Sequence, residues 1–185
     1  MKKIISIVSG LVILLLFTAC GGSYVLSPAQ EKMVGSDTTV YTQVGMWTEK
    51  NRAYGVNYAR GLYLPVNTKV KILAVSGKAI AFSYLGAKIT YYTHSKYTKI
   101  DSAKTMKRLF SSKKVNLAKY SKKSQASISI GEIKIGMTKD EVLLSRGYPP
   151  LNETLSLKSD YWVYRQHRFR RMGVTFTNNK VSNIK

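Results

Sequence analysis

Ile133-Lys134-Ile135-Gly136-Met137-Thr138-Lys139-Asp140-Glu141-Val142, closed by Gly147-Tyr148-Pro149-Pro150, is the stretch that decides how this chain folds. Thr138 precedes a helical pattern and Glu141 follows three residues later. The two side chains are placed to form the reciprocal halves of a capping box, so a helix starts here. Asp140 and Glu141 put negative charge at the positive end of that helix's dipole. Gly147 tolerates a left-handed cap and proline cannot continue a helix, so the helix stops before Pro149. Three strand signals follow: residues 160–165 with Trp162 and Tyr164, residues 172–177 with Val174 and Phe176, and residues 180–184. Asn178-Asn179 between the last two has the composition of a two-residue hairpin turn.

That order is Gly-Met-Thr-helix, Gly-x-Pro, Trp-x-Tyr, Val-x-Phe and a final Lys-Val strand. It resembles the SmpA/OmlA (BamE-like) family of outer-membrane lipoproteins over about residues 128–185. The resemblance implies two helices packed on a three-stranded antiparallel sheet. It places Gly136, Met137, Thr138, Gly147, Pro149, Trp162, Tyr164, Val174 and Phe176 at positions that are mainly structural. It also implies β-barrel assembly proteins of the outer membrane as partners. A similar fold occurs in the β-lactamase inhibitor family, so inhibition of an exported enzyme stays open. The minimal assembly-machine subunit lacks the strand-rich segment that precedes this domain here.

Upstream, residues 39–97 carry short runs rich in Val, Ile, Thr and Tyr, cut by Gly and Asn. Val70, Ile72 and Ala74 alternate with Lys69 and Lys71, Ser76-Gly77-Lys78 breaks the run, and Ile80, Phe82 and Tyr84 resume it before Gly86 turns the chain toward Ile89 and Tyr91. This predicts a three-strand meander. With residues 40–43 and 56–64 added, five short strands suggest a small closed barrel, because closure removes exposed edges. Residues 64–73 resemble the start of a bacterial SH3-like barrel, whose implied partners include peptides and peptidoglycan. The expected fold class is therefore mostly β with α+β: an SH3-like β-barrel over residues 37–100, a basic helical connector over 101–123, and the BamE-like domain over 124–185. Tyr54, Tyr58, Tyr63, Tyr84, Tyr91, Tyr92 and Tyr97 read either as an aromatic groove for a glycan or peptide, or as barrel core and girdle.

The chain opens on Lys2 and Lys3, an apolar run over residues 4–17, then Thr18, Ala19 and Cys20, its only cysteine. This is the pattern of a lipoprotein export signal over residues 1–19 with lipidation of Cys20. At about 1.5 Å per residue the apolar run reaches about 21 Å, short of the roughly 30 Å hydrocarbon core. Two or three acyl chains at about 0.8 kcal/mol per buried methylene make attachment effectively permanent. Gly21 is not the aspartate of inner-membrane retention, so the expected location is the periplasmic face of the outer membrane. In a single-membraned bacterium it is the outer face of the cytoplasmic membrane. Residues 20–36 are expected to form a flexible tether.

Thirty Lys and Arg against nine Asp and Glu give a net charge of +21, or +19 once Lys2 and Lys3 leave. Export and the lack of an RNA-binding aromatic signature argue against nucleic acid, which leaves anionic phospholipid and acidic envelope polymers. Residues 96–123 hold ten basic residues and one acidic one, Asp101. Within them a helix over 102–110 puts Met106, Leu109 and Phe110 on one side and Lys104, Lys107 and Arg108 on another. A second basic segment, Arg165-Gln166-His167-Arg168-Phe169-Arg170-Arg171, reads as a hairpin loop around an exposed aromatic. Arg165, Arg168, Phe169, Arg170 and Arg171 join Lys104, Lys107 and Arg108 as candidate contacts for anionic lipid or a protein partner. Only two histidines occur, His94 and His167, and no nucleophile elbow, phosphate loop or spaced ligand set appears. The expected protein is non-catalytic, without a cofactor or metal.

Overall fold

The computed structural model describes residues 24–185. The signal segment and Cys20 lie outside the described residues. In chain order, a first half contains α1 (Pro28–Glu31), β1 (Val40–Thr42), β2 (Met46–Thr48), β3 (Arg52–Tyr54), β4 (Leu62–Leu64), β5 (Lys69–Val75), β6 (Ala79–Tyr84), β7 (Ala87–Tyr92), α2 (Ser95–Thr98), α3 (Ser102–Leu109) and β8 (Phe110–Ser111). A second half contains α4 (Lys122–Ile130), α5 (Lys139–Arg146), β9 (Tyr161–His167), β10 (Arg170–Thr177) and β11 (Lys180–Ile184). The fold is mixed α+β and mostly sheet.

In the first half, β5, β6 and β7 form the expected antiparallel meander, with Ile72 opposite Phe82 and Phe82 opposite Ile89. These alternate side chains are fully or almost fully buried and build one core with Val40, Leu64, Met106 and Phe110. The sheet does not close into the expected barrel. Its order is β3-β7-β6-β5-β1-β8, with β3 added parallel to β7, while β2 and β4 pair separately. The edge problem is met by brevity instead of closure: β3 has three residues and β8 two, and short edges offer little template for another chain.

The expected flexible tether is also corrected, because residues 24–36 are docked. Ser27 and Gln30 form a capping box that starts α1, and the Gln30 side chain donates to the Ala103 carbonyl of α3 at 2.8 Å. Leu26, Met33 and Val34 pack on the first core, Val34 bridges to Ile72, and Tyr24 donates to the Val75 carbonyl. The connector docks by the apolar stripe of its helix: α3 buries Met106 and Leu109, β8 pairs with β1, and Val115, Leu117 and Tyr120 pack on the second core.

In the second half, α4 and α5 cover the antiparallel sheet β11-β10-β9. Ile128, Val142, Leu144, Trp162, Tyr164, Val174, Phe176 and Val181 form its core. Thr138 caps α5 as the sequence predicts, accepting from the Glu141 amide while Glu141 accepts from the Thr138 amide at 2.7 Å. Asn178 and Asn179 both take positive φ, which the tight β10–β11 turn requires.

The two cores are joined by a polar seam. A helix leaves its last carbonyls without intrahelical donors, and the α5 carbonyls find theirs largely in the first half. The Gly45 amide donates to Leu144 O at 2.8 Å, the Tyr63 hydroxyl to Ser145 O at 2.7 Å, and the Asn57 side chain to Arg146 O at 2.7 Å and Tyr148 O at 2.9 Å. Tyr164 supplies the donor for Gly147 O. Gly45 lies so close that an added Cβ would strike Ser145 O and the Tyr63 hydroxyl. Val66 crosses from the first half to pack in the second core.

Candidate functional site

The basic residues singled out from the sequence fall into two separate groups, one on α3 and one at the β9–β10 hairpin, of which Lys104, Lys107 and Arg108 line one cleft and Arg165 and Arg168 another. The first is built on α3. Asp101 caps the helix by accepting from the Lys104 amide at 2.7 Å, and the docking of Met106 and Leu109 turns Lys104, Lys107 and Arg108 away from the core. Lys104 stands 3.9 Å from Asp101, a loose and exposed pair worth little. Arg108 lies over the Tyr148 ring at 4.7 Å, and Lys107 has no carboxylate partner among the described residues. With Gln43 and Ile100 these residues line an open cleft of about 470 Å³. Its rim is basic and its wall is Tyr148, the first residue after the cap of α5. Burial pushes the Tyr148 hydroxyl's pKa up, although the Arg108 charge pulls it down. Further along the connector, Lys114 lies over Tyr41 at 5.2 Å and Lys119 over Tyr120 at 4.9 Å, so aromatic faces also support the cationic side chains.

The second group, at the β9–β10 hairpin, divides. Arg165 and Arg171 both pair with Glu153, the latter at 3.3 Å, and the Glu153 side chain is only 10% exposed. Arg165 also donates to the Arg168 carbonyl at 2.9 Å, which fixes the turn. These two arginines therefore hold structure as well as charge. Arg168 and Arg170 have no carboxylate partner among the described residues. Phe169 is 84% exposed with the Arg168 guanidinium 5.3 Å from its ring. The hairpin does present an exposed aromatic among cations, but with two free arginines where the sequence suggests four.

Between the hairpin and α2 lies a cleft that the sequence does not reveal. Tyr58, His94, Tyr97 and Asn152 meet Arg165 and Arg168 there. The cleft shares no lining residue with the one at α3. The β-bridge between Tyr58 and Arg165, with the Ala59 amide donating to Arg165 O, brings the pieces together. Of the tyrosines read as groove or core, Tyr84 and Tyr91 pack on the first core, and Tyr63 serves the seam. Tyr54, Tyr58, Tyr92 and Tyr97 instead gather around His94. Burial lowers the His94 pKa, because desolvation disfavours the charged imidazolium.

Among the described residues no three His, Cys, Asp or Glu side chains are grouped to hold a metal, and no helix is long and apolar enough to cross a membrane. Comparison of the chain with protein-family models, curated proteins and solved structures finds no match. The arrangement offers cationic and aromatic contact surfaces.

Proposed function

We propose that this chain is a lipid-anchored outer-membrane lipoprotein, attached through Cys20 on the periplasmic face, that acts as a non-catalytic accessory or scaffold in outer-membrane protein assembly and envelope integrity. In this reading residues 124–185 are an SmpA/OmlA-like domain, supported by the two helices over a three-stranded antiparallel sheet. The docked N-terminal segment carries the reading furthest. Tyr24, which is bound to the body, is only four positions after Cys20, so the chain between them can reach no more than about 14 Å at the roughly 3.3–3.6 Å per residue of an extended chain. From there the chain runs through α1 onto the first turn of α3, whose outward residues are Lys104, Lys107 and Arg108. A tether this short holds a basic surface next to anionic headgroups, where each Lys or Arg contributes about 1 kcal/mol within a Debye length of about 8 Å.

Two measurements test it. Labelled palmitate should enter the wild-type protein and not a Cys20→Ser form. Vesicles containing phosphatidylglycerol should bind the unacylated chain over residues 21–185 in a salt-sensitive way, and charge reversal of Lys104, Lys107 and Arg108 should weaken that binding by roughly a hundredfold or more, from about 1 kcal/mol per residue. Palmitate that enters both forms equally refutes the anchor. Vesicle binding indifferent to phosphatidylglycerol content, salt and the reversal refutes the docking face.

A further inference from the structure

Four separate stretches of chain contribute to the cleft beside the β9–β10 turn: Tyr58, then His94 and Tyr97 at α2, then Asn152, then Arg165 and Arg168. His94 sits at its aromatic end. The imidazole stacks on Tyr54 with centroids 5.5 Å apart and planes 27° apart, and meets Tyr97 edge-on at 6.4 Å. Its backbone has φ 48°, in the left-handed region that residues with a side chain seldom occupy. Its Nδ1 is buried without a hydrogen-bond partner among the described residues. A strained backbone and an unpaired buried nitrogen each cost free energy, and such costs cluster at binding sites.

The other end of the cleft is cationic. Arg165 is oriented by Glu153 and by the Arg168 carbonyl, and Arg168 itself has no carboxylate partner among the described residues. Asn152 adds an amide that both donates and accepts. The cleft holds about 240 Å³, just under the roughly 300–1,000 Å³ of drug-sized pockets, which suits one ring unit of a longer molecule.

We propose that this cleft binds a pyranose carrying a carboxylate or phosphate, with the sugar ring against Tyr97 and His94, its hydroxyls at Asn152 and Tyr58, and its anionic group at Arg168 with Arg165. The mixture of partners selects that chemistry. A fatty acid leaves Asn152 and the phenols unmatched, a neutral sugar leaves Arg168 unmatched, and a bare anion leaves the aromatic faces unused. Guanidinium forks match carboxylate and phosphate oxygens alike, so the cleft accepts either source of charge. The site is independent of the lipid-docking face at α3, and its test does not depend on that reading.

Saturation-transfer NMR on the full chain in detergent, with glucuronate, glucose 6-phosphate and glucose at millimolar concentration, tests the site. Saturation should reach the ring protons of both anionic sugars, with glucose about tenfold weaker because it lacks the charge-assisted bond. Stronger transfer to glucuronate points to an acidic polysaccharide, and stronger transfer to glucose 6-phosphate to a phosphorylated saccharide; both support the cleft. Arg168→Ala should weaken the anionic sugars about tenfold and erase their advantage over glucose. Tyr97→Ala should abolish ring-proton saturation. Both side chains are exposed, and an unchanged thermal midpoint confirms that the variants are folded. No saturation of either anionic sugar, or the same saturation in wild type and both variants, overturns the proposal.

Discussion

Replacing Asn57 with glycine isolates the seam between the two halves. Asn57 occupies the left-handed region, at φ 53°, and its side-chain amide caps two carbonyls at the end of α5, at 2.7 and 2.9 Å. Glycine accepts that backbone conformation without strain, so the substitution removes the cap and little else from the folded state. Leaving a buried acceptor without its donor costs about 1–3 kcal/mol. Two neighbouring carbonyls of a half-buried side chain therefore give a loss of about 2–3 kcal/mol, a few tenths of which comes from the greater freedom of the unfolded chain. At roughly 2–4 °C per kcal/mol for a chain of this size, the thermal midpoint falls by about 4–12 °C. Urea denaturation followed by tryptophan fluorescence reads both halves, since Trp47 lies in the first and Trp162 in the second. The midpoint should move with little change in slope. Asn57→Asp should be worse than glycine, because it keeps the shape but turns a carboxylate toward the two carbonyls. A glycine variant within about 0.5 kcal/mol of wild type behaves like a neutral surface change and refutes the capping argument, as does an aspartate variant equal to wild type.

Four further outcomes follow from the same contacts. Gly45→Ala should destabilise by about 1–3 kcal/mol in the same urea assay, because the new Cβ meets Ser145 O and Tyr63 across the seam. Glu153→Gln should cost about 2 kcal/mol and raise the exchange rate of hairpin amides in NMR, because Arg165 loses the carboxylate it shares with Arg171. Glu141 has a pKa below the ordinary value of 4.5: burial raises it, but donors from Ser124 and Thr138 and the charge of Lys180 outweigh that. Its stabilisation is present above pH 4.5 and fades as pH falls through the lower folded value, so Glu141→Gln should lower stability at pH 7 and flatten the acid limb of a denaturation profile. Gln30→Ala removes the bond to Ala103 O and half of a capping box, and limited proteolysis should then cut within residues 24–36 well before the body.

How legible each part was depends on the range of the rule that governs it. The Thr138–Glu141 box and the Asn178-Asn179 turn rest on three- or four-residue chemistry and formed as read, and the helix stops at Gly147, although with φ 78° and ψ −171° in place of the left-handed cap. The same chemistry was present in Ser27-Pro28-Ala29-Gln30, whose capping box marks α1, yet the segment's polarity made it read as a tether. The basic hairpin was legible as charge, but Glu153, twelve residues before Arg165, takes two of its arginines through a contact no local pattern announces. The aromatic cleft was the least legible, since no two of its four contributing stretches adjoin in sequence.

The sequence by itself determined the strands of the meander, the helix after Thr138 and the three C-terminal strands, because capping and two-residue alternation act between near neighbours, whereas no such local signal was read for α4. It also determined the excess of positive charge. Tertiary structure alone decided that the six-stranded sheet stays open, with β3 parallel to β7, and that the first half caps the end of α5. It alone decided which cations stay free and which tyrosines face a cleft. Those outcomes turn on pairing between groups tens of residues apart, where each carbonyl or guanidinium takes whichever partner the packed chain brings within about 3 Å.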